Sequence, residues 1–437
     1  MKTSRNILEL ATLLLTVIAQ PVAGEGIELR ATGAIRPTAE QQKALLASSK
    51  EWKPRVKLAG ALPPKVDNSQ TPWFPPIGDQ GNIGSCVQWA EVYYASTYEF
   101  CKRNGLNPQA FAFSPKWTYN WLSGGVDRGT YPVSGMSFVA DHGALRLSEL
   151  PYDGNYTTFI LDANAWLLAS RRTFDAPRYV GGLNLDVDRL KDILASGHLA
   201  VVATYIGSWK TARTKNDPAT NLDDATSGQI VCVAASGKSG GHEMCIVGYD
   251  DTVWTDVNGD GKVSDGEKGA FKVANSWGED WGNQGFVWIS YNAVRTANPS
   301  QPKEGAFWSN QAWFIDAGSE SSPEKFWTFG VQVPSVSAIR IGLGVGTIDA
   351  NVPAVEWYPY GFNRFPRNCA LSGTFAARVD RLTPGVACKH WFLMSAGTDQ
   401  KTVLRFASLS GFGKRRSIGP VPFTLGTKIK RWAVIAY

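Results

Sequence analysis

Three residue types with chemical potential stand among glycines far apart in the chain: Cys86, His242 and Asn275. The run Gln80-Gly81-Asn82-Ile83-Gly84-Ser85-Cys86 is a Gly-rich loop that delivers a cysteine to the first turn of an expected helix. That helix, Ser85 to Arg103, carries Val87, Ala90, Val92, Tyr94, Ala95 and Tyr98 on one broad apolar face. A helix N-terminus carries roughly half a positive charge and free amide donors, so it favours thiolate over thiol. Gln80 offers a side-chain amide beside the Cys86 backbone N–H, and two such donors hold the oxygen of a tetrahedral intermediate. Downstream, Gly240-Gly241-His242 opens an expected strand, Glu243 to Tyr249, and Asn275 precedes Ser276-Trp277-Gly278. In this reading His242 shares a proton with Cys86, and Asn275 orients the imidazole through its amide oxygen. Each residue alone is weak evidence, since a lone Cys before a helix is more often buried and inert. Order, residue types and neighbouring glycines together make the signal.

The elements that must position these groups follow from pattern. Ser114-Pro115 starts a second helix, with Pro at its first position. Leu199 to Ile206 reads as a fully buried strand, and Ala270 to Ala274 with Gly285 to Tyr291 as a β-hairpin. The 437 residues suit two or three domains, and 43% hydrophobic with 19% charged content excludes bulk disorder. With six Cys and a net charge of +6, disulfide-dense and nucleic-acid-binding classes are disfavoured; the basic cluster Lys414-Arg415-Arg416 reads as a solvated loop.

Four segments frame the middle of the chain. Lys2 and Arg5, the apolar run Ile7 to Ile18 and Val22-Ala23-Gly24 are expected to form a secretory signal, residues 1–24, so the mature chain is expected in an extracellular, periplasmic or lysosome-like compartment without a membrane span. Residues 25–61 read as a short leader or pro-segment with one helix near Ala39 to Ala47. Gly318-Ser319-Glu320-Ser321-Ser322 is expected to be a linker. Beyond it, 323–437 shows short β-rich runs, from Phe326 to Val333 through Trp432 to Tyr437, expected to form a separate β-sandwich. Export permits disulfides, and Cys369 with Cys388 is the expected pair, leaving Cys101, Cys232 and Cys245 as an odd set with at least one free thiol. Asn155-Tyr156-Thr157 is a glycosylation sequon.

Gln80, Cys86, His242 and Asn275, with Asn275-Ser276-Trp277-Gly278, Trp281-Gly282 and Gly285-Phe286, resemble the papain-like cysteine peptidases over residues 62–317. The resemblance implies an α+β fold of a helical lobe and a β-barrel lobe. It implies Gln80 as oxyanion donor, Cys86 as nucleophile, His242 as base and Asn275 as its orienting partner, with Trp277 shielding the His–Asn bond. Leu62-Pro63-Pro64-Lys65-Val66-Asp67 resembles the start of a mature domain, and Gly135 to Gly143, continuing to Pro151-Tyr152, the wall of a substrate cleft. Ile83 stands where a disulfide Cys is usual, and Gly84-Ser85-Cys86-Val87 resembles the bacterial or protist branch. The leader is shorter than the family's inhibitory one, which leaves inhibition open. The implied chemistry is peptide hydrolysis through an acyl-thioester, with the Cys86 pKa expected to be depressed by several units.

Between His242 and Asn275, Asp256 to Glu267 matches the twelve-residue calcium loop: Asp256, Asn258 and Asp260 at positions 1, 3 and 5, Gly261 at 6 and Glu267 at 12. Ca²⁺ is expected on Asp256, Asn258, Asp260, the Lys262 carbonyl, Ser264 and Glu267, in a structural role; the bland alternative is an ion-free Asp/Gly-rich hairpin tip. Glu356-Trp357-Tyr358-Pro359-Tyr360-Gly361-Phe362 with Phe365 could stack on a carbohydrate or cell-surface ligand, or simply fill a sandwich core. The expected function is a secreted cysteine endopeptidase acting on polypeptides. The alternatives are a catalytically weak binding or adhesion protein on the same fold, and a different thiol acyl-transfer enzyme.

Overall fold

A computed structural model describes residues 27–53, 61–181, 185–333, 339–362, 371–379, 388–396, 402–411, 413–419 and 421–436. The expected signal at 1–24, together with Phe365 and Cys369, lies outside the described residues.

One helical rod carries Cys86. It starts as α-helix over Cys86–Gln88, widens to π geometry over Trp89–Ser96 and returns to α-helix over Thr97–Asn104, where Gly105 ends it at φ 65°. Every residue from Cys86 to Cys101 is buried, because the rod is apolar or aromatic on nearly all sides and is wrapped by other elements. Helices Pro115–Ser123, Ser134–His142 and Ala163–Ser170 surround it. As expected, Pro115 opens its helix behind Ser114.

The second lobe is a sheet whose central strand, Gly241–Trp254, is much longer than the sequence pattern suggested. It pairs antiparallel with Ala200–Tyr205 on one side and Lys268–Ala274 on the other. The expected hairpin forms, Phe286 facing Ala274 and Ser290 facing Ala270. The paired registers place His242 and Asn275 at neighbouring ends of adjacent strands. Helix Val187–Ala195 packs on this sheet through Leu190, Ile193 and Leu194. The leader also joins it: Lys50–Glu51 pairs parallel with Arg178–Gly181 at the sheet edge.

The described residues of 323–437 form two stacked antiparallel sheets, one built on Lys325–Val333, Leu371–Arg378 and Val403–Gly411, the other on Ile339–Gly346, Cys388–Ala396 and Lys430–Ala436. The stretch read as a linker is partly a strand: Ala317–Glu320 pairs with Arg172–Phe174 of the helical lobe. The sandwich is continuous with that lobe. Trp166 packs on Phe362 and Phe375 at ring-centroid distances of 5.1 and 5.6 Å, and one apolar cluster runs from Trp117 to Phe392. Polar contacts seal the seam, where His142 Nε2 lies 2.6 Å from the Tyr360 carbonyl and the Tyr360 N–H donates to Asp141 at 2.6 Å.

Candidate functional site

Gln80, Cys86, His242 and Asn275 converge between the two lobes. His242 Nε2 lies 2.7 Å from Asn275 Oδ1, which also accepts the Ser276 N–H at 2.8 Å, so Nε2 carries the proton. Trp277 lies over the imidazole with ring centroids 4.5 Å apart and is fully buried. The Asn275 backbone is fixed at both ends: its N–H donates to the Gly285 carbonyl at 2.9 Å, and its carbonyl accepts the Tyr94 hydroxyl at 2.7 Å. Gln80 Oε1 accepts the Ser276 hydroxyl at 2.6 Å, which aims Nε2 at the cleft. The Gln80 N–H donates to the Ser276 carbonyl at 2.8 Å, stitching the cysteine loop to the asparagine loop. Tyr94 carried no motif in the sequence, its only signal being its place on the helical face with Cys86, and Ser276 stood inside the Asn275-Ser276-Trp277-Gly278 run without a role of its own.

A peptide already fills the cleft. Leader residues Glu28 to Ile35 run through it, with one isolated β-bridge at Ala34. The Ala31 carbonyl accepts from Gln80 Nε2 and from the Trp277 indole, both at 3.0 Å. The Gly33 and Ala34 N–H groups donate to the Gly241 carbonyl at 3.1 and 3.0 Å. Thr130 pairs with this strand in parallel sense, taking the Ile35 N–H at 2.9 Å and giving its own N–H to the Gly33 carbonyl at 2.9 Å. Arg30 anchors one end on Asp280 at 3.0 Å and on the Trp277 carbonyl at 2.5 Å. The contact over Cys86 is so close that a Cβ on Gly33 would lie 1.9 Å from the Gly84 carbonyl oxygen. Glycine is therefore required at residue 33 for steric reasons alone. Opposite the leader the cleft wall is Thr130 to Val133; Gly135 to Gly143, expected to be that wall, is mostly the buried helix Ser134–His142 behind it.

This burial reverses the expected electrostatics. Cys86 and His242 are both fully enclosed. Burial pushes the Cys86 thiol up to about 12, against the backbone amides of Glu243, Gly33 and Val87, which favour thiolate. Burial brings His242 down to about 4, despite its bond to Asn275. The depressed thiol pKa expected from the helix end is thus not a property of the covered site: desolvation outweighs the helix end and both groups are neutral. Among the described residues His242 Nδ1 has no hydrogen-bond partner.

In the expected calcium loop the ligand groups bind main chain, a lysine, the Trp254 indole and one another, the Asn258 amide donating to Asp260 and Ser264 at 3.2 Å. Asp256 meets Lys215 Nζ at 2.5 Å, and Glu267 accepts the Val257, Asn258 and Ser264 N–H groups. Among the described residues, the three acids or histidines that come within 4.8 Å of one another are Glu99, His198 and Asp316, not those of this loop. Lys102 already neutralises Glu99, and Arg178 pairs with Asp316. The Cys388 thiol is free and 3.2 Å from His390 Nε2, so the expected disulfide is not seen at this residue; Cys101, Cys232 and Cys245 are free and buried. The aromatic stretch 357–362 is spent largely on the domain seam, with Phe362 buried and Trp357 and Tyr358 half-buried. No helix among the described residues is long and apolar enough to cross a membrane.

Residues 217–301 match the model of the papain family of cysteine proteases. The match takes in His242 and Asn275 and ends far from Cys86. Cysteine proteinase 2 of Leishmania pifanoi is 25% identical over 251 residues, and cysteine proteinase B of Leishmania mexicana 27% over the same length. Each alignment covers 52% of this chain and 44% of the relative, so the chain spans under half the length of these relatives. The crystal structure of Xylellain, a cysteine protease from Xylella fastidiosa, is similar at 22% identity and a TM-score of 0.46, over 66% of this chain and 98% of that one. The α+β architecture expected from the sequence, a helical lobe and a sheet lobe followed by a β-rich C-terminal region, is the architecture observed.

Proposed function

We propose that the chain is a papain-like cysteine endopeptidase in precursor form, exported through residues 1–24, and that residues 25–61 inhibit it. The observation that carries this reading is the leader itself, a main-chain strand lying in the cleft with its Ala31 carbonyl on Gln80 Nε2. A site that accepts a peptide backbone in this way accepts a peptide substrate. Once uncovered, Cys86 and His242 regain water and exchange a proton, and the resulting thiolate attacks the substrate carbonyl. Gln80 Nε2 and the Cys86 N–H receive the developing oxyanion. His242 protonates the leaving amine, then takes a proton from the water that breaks the thioester. Asn275 and Trp277 keep the imidazole aligned and dry. The Gly84-Ser85-Cys86-Val87 run supports the bacterial or protist branch.

The test uses the full chain carrying Gly33→Val, whose leader cannot seat. It is expected to cleave unstructured peptides, and Cys86→Ala in that background is expected to abolish cleavage without unfolding the protein. Turnover surviving Cys86→Ala would sink the nucleophile assignment. Cross-linked rather than cleaved product would favour acyl transfer.

Within the same reading Asp256, Asn258, Asp260, the Lys262 carbonyl, Ser264 and Glu267 would hold calcium, with Lys215 displaced from Asp256. The donor set is oxygen-only and suits a hard cation. Its role is to clamp the insertion between the His242 and Asn275 strands. Superimposable melting curves with excess calcium and with chelator would remove the ion from the account. For a carbohydrate role in the C-terminal domain, Trp357, Tyr358 and Tyr360 are the rings of that stretch that remain partly exposed.

A further inference from the structure

Two buried acids stand directly behind the site and take no part in the chemistry described. Glu91 lies on the Cys86 helix and Glu243 follows His242 on the long strand; they are 0% and 1% exposed. The Glu91 carboxylate accepts the Met136 N–H at 2.8 Å and the Val133 N–H, and so caps the helix Ser134–His142. Val133 is a β-branched residue at φ 70°, a conformation that needs holding, and the bond to Glu91 holds it. Gly135 leaves room for the acid, since a Cβ there would lie 2.8 Å from Glu91 Oε2. Two main-chain donors at a helix N-terminus make this a place for a negative charge.

Glu243 is placed differently. Neither of its carboxyl oxygens meets an N–H or hydroxyl donor among the described residues. What faces it is the Glu91 carboxyl, close enough for a hydrogen bond once one of the two acids carries a proton. Among the described residues no Lys, Arg or His side chain pairs with either acid, and two ionised carboxylates without a cation are costly in a dry site. Glu91 already accepts two main-chain N–H groups, so the proton belongs on Glu243, whose O–H then donates to Glu91. Burial and the like charge of Glu91 hold Glu243 well above the usual carboxylate range, and burial raises Glu91 as well. The other titratable groups around Glu243 are Cys86 on the helix, with Cys245 and His242 on its own strand. The neighbouring strand, the cleft wall and the leader present Ala203, Val133 and Gln42, none of which titrates.

We infer that Glu91 and Glu243 form a proton-shared clasp, that it ties the Cys86 helix, and through Val133 the cleft wall, to the His242 strand, and that it weakens as pH rises. This clasp stands whether or not the chain is a peptidase. In the unfolded chain both acids are ordinary carboxyls that titrate near about pH 4.3. The folded chain keeps the clasp proton to higher pH. The clasp therefore contributes its full stability below about pH 4 and loses it as pH climbs through the folded titration. There the Glu243 proton leaves to solvent, the O–H bond to Glu91 is lost, and two like charges remain face to face.

The test is urea unfolding of the full chain from pH 4 to pH 8 beside Glu243→Gln, whose amide matches the acid in shape and donates to Glu91 at every pH. The folding equilibrium of the full chain is expected to fall relative to that of the variant by up to about tenfold per pH unit above pH 5, and the two to converge toward pH 4. A merely structural contact would shift the two curves by a constant amount; parallel or superimposable curves overturn the clasp. Should Glu243→Gln fail to fold, the infrared spectrum of the full chain at pH 7 decides. A protonated-carboxyl C=O band that vanishes on unfolding supports the shared proton, and a folded chain without that band overturns it. Neither measurement needs turnover, so a failed peptidase reading would leave both standing.

Discussion

At the scale of single residues, the proposed nucleophile and base, Cys86 and His242, stand assembled but neutral. With its thiol near 12, Cys86 is protonated across the neutral range, so iodoacetamide should label it negligibly between pH 5 and 9 in the full chain. In Gly33→Val, labelling is expected to become fast at pH 5 to 8 and to lose its acidic limb when His242 is replaced by Ala. A full chain that labels as fast as the variant would show that the leader does not protect the thiol. Asn275→Ala in the same background is expected to lower kcat by about tenfold or more with KM little changed, because it removes the acceptor that fixes the His242 ring. An unchanged kcat would mean that Trp277 packing alone orients the base. Cys86, His242 and Asn275 were legible because nucleophile, base and orienting amide are rare residues in glycine-marked surroundings. Glu91 and Glu243 were not, since acids inside an amphipathic pattern look like any solvated charge until burial is seen.

At the scale of elements, the leader strand depends on shape more than on charge. The Arg30–Asp280 pair is mostly exposed on its acidic side, and such pairs are worth about 0 to 1 kcal/mol. Arg30→Ala should therefore raise Cys86 labelling only severalfold, whereas Gly33→Val should raise it by orders of magnitude; the reverse order would make the ion pair the true latch. This strand was invisible to sequence patterning. Residues 27–37 have neither helical nor alternating periodicity, and their partners are main-chain groups of Gly241 and Thr130, which no side-chain pattern encodes. The Phe286–Ser290 hairpin and the Pro115 helix were readable for the opposite reason, because alternation and an N-terminal proline are local signals. The run Gly318-Ser319-Glu320 looked like a linker on composition, yet Arg172 to Phe174 offers it an edge to pair with.

At the scale of the whole molecule, the sandwich and the helical lobe share a core, so they should melt together. Phe362 is fully buried among His142, Trp166, Phe329 and Phe375. Phe362→Ala is expected to cost about 3 to 5 kcal/mol and to lower a single calorimetric transition. Two transitions, with only one displaced, would show that the domains unfold independently. The strands of 323–437 were legible from their turns, but their attachment was not, because the same aromatic stretch suits a sugar face and a packing face equally.

The leader helix Ala39–Ser48 touches more than the cleft. With Leu45 and Ala44 it roofs a second cavity, of about 300 Å³, whose other walls are Tyr131 to Val133, Ser137 and Tyr360 of the C-terminal domain. The leader thus acts as a keystone where three parts of one chain meet. Lifting it exposes the C-terminal domain's own foothold as well as the cleft. By thermodynamic reciprocity, whatever steadies Tyr360 in its seat alters the grip on the leader by the same factor that the leader alters the seat. Under the proposed precursor reading, release of the leader is then felt at the far end of the molecule: a shift of the Tyr360 loop on the sandwich would set the threshold at which the cleft is uncovered.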